Sequence, residues 1–253
     1  MTVLLVSGTG TGVGKTVAAA ALAALAHSRG SSVAVVKPAQ TGLAEGEPGD
    51  VAEVVRLAGL SPDDGHELSR FDAALAPATA ARLSGTAGPS LEAVAAVVAA
   101  LAASRDTVLV EGAGGLLVRF DAKGWTLADL AVRLSAPVLL VVAAGLGTLN
   151  HTALTAESLR SRGVPLAGLV VGAWPVPPDR PVLAERTNLV DLPEVAGAPL
   201  LGLLPAGMGG LDPAAFLPAA RAGLARELGG EVDAADIGRA QGLAAPGGRR
   251  GPT

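Results

Sequence analysis

The chain has 253 residues, a formal net charge of −4 and no cysteine, which excludes disulfides and thiol chemistry. Half of the residues are hydrophobic and the mean hydropathy is +0.48, yet the apolar runs are alanine-rich and interrupted by Gly, Arg or His. None approaches the roughly 18 residues of a membrane span, and no secretory leader is read, so a cytoplasmic protein with no membrane partner is expected. An acidic balance without basic clusters also argues against nucleic acid as a partner.

The first apolar run, residues 3–6, reads as a buried parallel strand. It opens into "SGTGTGVGKT" and then an alanine-rich helix from about Lys15 to Ser28. Strand, glycine loop, Gly-Lys-Thr and helix in that order make a phosphate cradle. Glycines let backbone N–H groups converge on an anion, and the helix N-terminus adds partial positive charge. Gly12, Val13, Gly14, Lys15, Thr16 and the following Val17 are the expected nucleotide-binding set. Lys15 is placed to reach the β- and γ-phosphates and the Thr16 hydroxyl to bind Mg²⁺. The strict spacing asks for glycine at position 9, where Thr9 stands; Gly8 comes one residue early. The lysines of the chain are Lys15, Lys37 and Lys123, every other fixed cation being arginine. Two of them at strand tips read as compact point charges.

Residues 33–36 form the second strand and deliver Lys37, after which Pro38 delays any helix. Ligands of open parallel sheets gather at the carboxyl ends of the strands, so Lys37 and Thr41 are expected at the mouth of the phosphate loop. Asp50 has two readings, as N-cap of a helix over "VAEVVRLAGL" or as a Mg²⁺ ligand. A polar connection covers 61–72, Pro77 turns into a helix, and Ser90 caps a helix over "LEAVAAVVAALA". Residues 107–110 are a buried strand ending in Glu111, beside Gly112, Gly114 and Gly115. A carboxylate there suits a second acidic Mg²⁺ partner.

"LLVRF" is a candidate short strand, and 126–134 a helix that contains Asp129. After the strand "PVLLVVAA", Thr148 or Asn150 starts a helix whose free N–H groups make a second anion site; His151 is read as structural. Two more buried strands, "VPLAGLVVGAW" and "APLLGLLPAG", precede a closing helix over "PAAFLPAARAGLAREL". The alternation predicts an α/β fold, a mostly parallel sheet with helices on both faces. One such P-loop NTPase domain is expected over residues 1–228, with a low-complexity, disordered tail over 229–253.

"GTGTGVGKT", "KPAQTG", "VEGAGG" and "LGTLNHT", in this order and spacing, resemble the dethiobiotin synthetase family from Thr2 to about Leu228. The early Gly8 is that family's form. The resemblance implies an ATP- and Mg²⁺-dependent ligase of biotin synthesis. It would join CO₂ to 7,8-diaminopelargonic acid and close a ureido ring. Lys15, Lys37 and Thr41 would be catalytic, and Thr16, Asp50 and Glu111 would hold Mg²⁺. Leu75 and Pro77 would form an apolar wall. Residues 147–150, "GTLN", would bind the distant substrate carboxylate across a homodimer with shared sites. The chain departs from the family where an adenine-reading Asn is common: it has Gly172-Ala173-Trp174-Pro175, which leaves base preference open.

Two other readings stand beside this one. A partitioning or positioning ATPase of the related P-loop group would carry a signature lysine where this chain has Gly10. A cobyrinate-type amide synthase would need a glutaminase domain with a nucleophilic cysteine, and this chain has neither the cysteine nor the length.

Overall fold

The computed structural model of the chain describes residues 2–237. Short, uninterrupted apolar runs make strands that can be buried on both faces, the condition for a parallel sheet covered by helices. In chain order the elements are β1 (Thr2–Gly8), α1 (Lys15–His27), β2 (Val33–Lys37), β3 (Gln40–Thr41) and α2 (Asp50–Ala58). Then come β4 (Gly65–Glu67), β5 (Arg70–Phe71), α3 (Pro77–Ser84), α4 (Leu91–Ala102), β6 (Thr107–Gly115) and α5 (Leu127–Leu134). The last third holds β7 (Val138–Val142), α6 (Thr148–Ser161), β8 (Leu166–Trp174), α7 (Leu183–Ala196), β9 (Leu200–Pro205) and α8 (Pro213–Gly223).

Among the described residues the main sheet has seven strands in the order β4-β2-β6-β1-β7-β8-β9, all parallel. β3 and β5 pair separately beside it. The expected α/β class and covered parallel sheet are therefore present. Alternate strand residues enter opposite cores. Val6, Val35 and Leu109 join the face carrying α1 and α2, whereas Leu5, Val36 and Val110 join the face carrying α4 and α5. All the alanines of α1 except Ala26 lie almost completely buried and let that helix sit close to the sheet.

Several local expectations change. The strand ending in Glu111 continues to Gly115, because β1 pairs with it as far as Gly8. "LLVRF" forms no strand; Phe120 instead stacks on Trp125 with ring centroids 4.4 Å apart, folding that stretch into a loop. The connection over 61–72 contains β4 and β5. Helix α7 falls in a stretch read only as connection, since Pro193 and mixed polarity hide its period. The closing helix stops at Gly223, and Ala225 bridges to Val232 while Ile237 is buried. Packing thus runs beyond Leu228, and the rest of the expected tail, 238–253, lies outside the described residues.

Candidate functional site

The register of the three central strands brings the key side chains to one level. Val36 lies opposite Val110, and Val6 opposite Glu111, so Lys37 and Glu111 leave neighbouring strands together beside the phosphate loop. Lys37 Nζ is 2.8 Å from Glu111 Oε1 and donates to the Gly112 carbonyl at 3.1 Å. Asp50 arrives from α2 with Oδ2 2.5 Å from the same nitrogen. From the first turn of α1, the Thr16 hydroxyl donates to Glu111 Oε1 at 3.0 Å. Lys15 Nζ donates back to the Gly10 carbonyl at 2.9 Å.

One expectation for Asp50 is corrected here. It is the first residue of α2, Gly49 is the N-cap, and no side chain caps that position. The Asp50 carboxylate is used by Lys37 and is not free to cap the helix.

One ammonium between two carboxylates sets the electrostatics. Burial pulls Lys37 down, but Glu111 and Asp50 outweigh it and hold the ammonium above its ordinary value. Burial resists ionisation of Asp50 too, yet Lys37 brings it below the usual carboxylate range. Glu111 lies deepest, and burial pushes its carboxyl up against the pull of Lys37. Lys15 is lowered by burial and then by the neighbouring charge of Lys37. Lys37 is therefore a fixed positive charge and not a proton acceptor.

These groups line a cleft of about 770 Å³. Gly12, Lys15 and Thr16 of the glycine loop and first helical turn line it, as do Thr41, Leu75 and Pro77. The expected residues meet there, with two exceptions. Val13 packs behind the loop, where its carbonyl faces Gly172; a Cβ on Gly14 would stand 2.5 Å from the Gly172 oxygen. Residues 147–150 do not line the cleft, although α6 does begin at Thr148 with Gly147 as N-cap. Trp174 is buried and presents no ring to a base.

Two buried amides were not legible beforehand. Asn188 on α7 donates to the Ala144 and Gly145 carbonyls at 2.8 and 3.1 Å, holding the turn into α6. Gln40 joins β3 to α2. Asn188 sat in an unrecognised helix, and Gln40 lay inside the quoted "KPAQTG" beside the polar Thr41, where nothing local singled it out.

The donors Thr16, Asp50 and Glu111 are hard oxygens, and Glu111 Oε2 is buried without a hydrogen-bond partner. Among the described residues no three His, Cys, Asp or Glu side chains form a complete metal cage. Two carboxylates and a hydroxyl are the kind of partial oxygen set that fits Mg²⁺, which takes one or two carboxylates and finds its remaining ligands on phosphate and water.

A glycine loop between the central strand and its helix, followed by Lys-Thr and faced by a carboxylate on the adjacent strand, defines a P-loop NTPase-type α/β protein. A family profile described as "AAA domain" matches residues 2–208. An ATP-dependent dethiobiotin synthetase BioD of Frankia casuarinae is 60% identical over 94% of this chain and 98% of its own length. The protein so named from Saccharopolyspora erythraea is 62% identical over 91% and 98%. Among solved structures, the Pyrococcus furiosus cell division ATPase MinD superposes with a TM-score of 0.51 at 20% identity, covering 87% of this chain and 96% of that one. The MinC:MinD complex of Aquifex aeolicus gives 0.52 at 16% identity over 97% and 98%, and both likenesses concern the fold alone. The chain belongs to the ATP-dependent dethiobiotin synthetase family.

Proposed function

We propose that the protein is an ATP-dependent dethiobiotin synthase of biotin synthesis, acting on 7,8-diaminopelargonic acid, CO₂ and ATP. The observation that carries the reading is the convergence of Lys15, Thr16, Lys37, Asp50 and Glu111 on one cleft, in a chain 60% identical to a relative of that name.

One substrate amine adds to CO₂, forming an N–C bond and releasing a proton, to give a carbamate. A carbamate oxygen attacks the γ-phosphate and ADP leaves. The second amine then attacks the carbonyl of this mixed anhydride, phosphate leaves and the ureido ring closes. Every step up to ring closure gathers negative charge where two lysines stand. Lys37, held protonated by its two carboxylates, stabilises the carbamate and the transferring phosphoryl group. Lys15 exchanges the Gly10 carbonyl for phosphate oxygens. Thr41, Leu75 and Pro77 line the same cleft; the Thr41 hydroxyl would face the amines, and Leu75 and Pro77 would lie along the alkyl chain. Thr16, Asp50 and Glu111 would hold Mg²⁺, which would supply positive charge against that of the nucleotide phosphates.

The substrate carboxylate lies several carbon–carbon bonds from the amines, beyond the cluster of Lys37 and Thr41, and needs an anion site of its own. Residues 147–150 offer free N–H groups at the start of α6 and stand away from the cleft of their own chain, which supports a homodimer with each site completed by the facing subunit. The expected compartment is the cytoplasm, and no helix among the described residues is long and apolar enough to cross a membrane.

Phosphate release should rise on adding the diamine with bicarbonate, with one dethiobiotin formed per phosphate. Stimulation by DNA, lipid or glutamine instead would replace this reading with one of the two alternatives.

A further inference from the structure

Helix α2 places Asp50 but has no cap of its own. Its N-cap is Gly49, and the Asp50 carboxylate is turned away to Lys37. The first N–H groups of a helix need acceptors from outside it. Gln40 supplies one: its Oε1 accepts from the Asp50 N–H at 3.0 Å, while its Nε2 donates to the Thr41 carbonyl at 3.1 Å. Only one orientation of the amide makes both bonds, because a flipped amide would set N–H against N–H and oxygen against oxygen. The side chain is 5% exposed and borders the cleft.

The surroundings are built to keep this bond. A Cβ on Gly49 would stand 2.8 Å from Glu67 Oε2 and 3.0 Å from both Gln40 Oε1 and an Arg70 guanidinium nitrogen, so these three side chains close around the cap. Arg70 pairs with Glu67 and donates to the Ala44 and Glu47 carbonyls at 2.9 and 2.8 Å, tying down the segment between β3 and α2.

We infer that Gln40 is a positioning residue: its carboxamide couples the Thr41 strand to the first turn of α2 and thereby sets the Asp50 carboxylate against Lys37. The inference rests on the metal role proposed for Asp50. Without the Gln40 oxygen, the Asp50 N–H has no acceptor. The carboxylate, 35% exposed, can then turn back to cap its own helix, the usual preference of Asp there, and abandon the Lys37 side of the cleft.

Gln40→Met keeps the length of the side chain and removes the acceptor. Ser90→Ala is the control, removing the Ser90 hydroxyl bond to the Ala93 N–H at the start of α4. Partners behind a metal ligand are typically worth roughly 10–100-fold in metal affinity. Mn²⁺ binding to the ADP complex, followed by electron paramagnetic resonance, should weaken about tenfold or more in Gln40→Met. The Mg²⁺ concentration for half-maximal turnover should rise in parallel, with KM for the diamine little changed. The Asp50 amide, measured without metal or nucleotide, should exchange its hydrogen at least about tenfold faster in Gln40→Met, as expected of a lost bond. Ser90→Ala should leave all three readings at wild-type values. Slow Asp50 exchange in Gln40→Met, or a melting temperature lowered as in Ser90→Ala with unchanged Mn²⁺ binding, overturns the inference. Accelerated exchange and weakened Mn²⁺ binding in an enzyme that makes no dethiobiotin would overturn the proposed reaction and leave the coupling standing.

Discussion

Lys37 on β2 and Glu111 on β6 meet at 2.8 Å with side chains only 4% and 2% exposed. Breaking a buried pair from one side strands a charge, at a typical cost of roughly 3–5 kcal/mol. Lys37→Met should therefore destabilise the nucleotide-free protein by roughly 3 kcal/mol as well as lowering turnover by ~10²-fold or more. Glu111→Gln should cost less, because Lys37 retains Asp50 and the amide oxygen of the substituted side chain can still accept. The double substitution should be more stable than the sum of the two predicts, since it removes both charges. Urea unfolding of the four proteins measures the coupling. A strictly additive result would mean that Lys37 and Glu111 do not support each other.

The same pair makes stability depend on pH. Burial raises the Glu111 carboxyl above its ordinary 4.5 despite Lys37. A raised acid holds its proton more tightly in the folded chain, so its contribution is complete below 4.5 and is lost as pH climbs through the raised value. Asp50 is lowered and has the opposite sign, its contribution being present above 3.8 and lost on acidification. Comparison of wild type with Glu111→Gln isolates the first effect. The difference in unfolding free energy should shift towards the variant as pH rises above 4.5. A pH-independent difference would place the ionisation elsewhere.

Base discrimination should be weak. Gly172 offers no side chain, its backbone packs on the phosphate loop, and the Trp174 ring is buried. A site that hydrogen-bonds its ligand can reject an analogue by ~10⁴-fold, whereas one without such groups cannot. ATP, GTP and CTP should accordingly give kcat/KM values within roughly tenfold of each other. A preference of about a hundredfold for one base would show that backbone groups, such as those of residues 205–207, do the reading. Gly172→Ala should abolish turnover with every nucleotide, because its methyl collides with the Val13 carbonyl.

Complementation tests the shared site. Lys15 Nζ bonds the Gly10 carbonyl of its own loop, so Lys15→Ala should fold normally and be inactive. Asn150 is exposed at the start of α6, next to Leu146, which is 91% exposed. Asn150→Asp should repel the substrate carboxylate and raise KM for the diamine. In a mixed dimer one site carries both lesions and the other neither, so random exchange should restore about a quarter of wild-type activity. A mixture that exchanges subunits yet stays inactive would confine each site to one chain.

The phosphate loop, the strand alternation and the two carboxyl-end sites at Lys37 and Glu111 were legible in the sequence because each is a local pattern. Glycine spacing, an apolar run of strand length and a charge at its tip all lie within a short stretch of chain. That was enough for the α/β class and the nucleotide end of the cleft. Helix α7 escaped because Pro193 and a weak apolar period obscured it, and Asn188 escaped with it. What Asp50 does was decided only in three dimensions. Locally it is a good cap at a helix start; in the fold its carboxylate goes to a lysine from another strand and its amide to Gln40. Lys37 and Glu111 are 74 positions apart, and no local propensity encodes which strands become neighbours or in what register. Sheet order set that register, and burial then turned three separate charges into one coupled group.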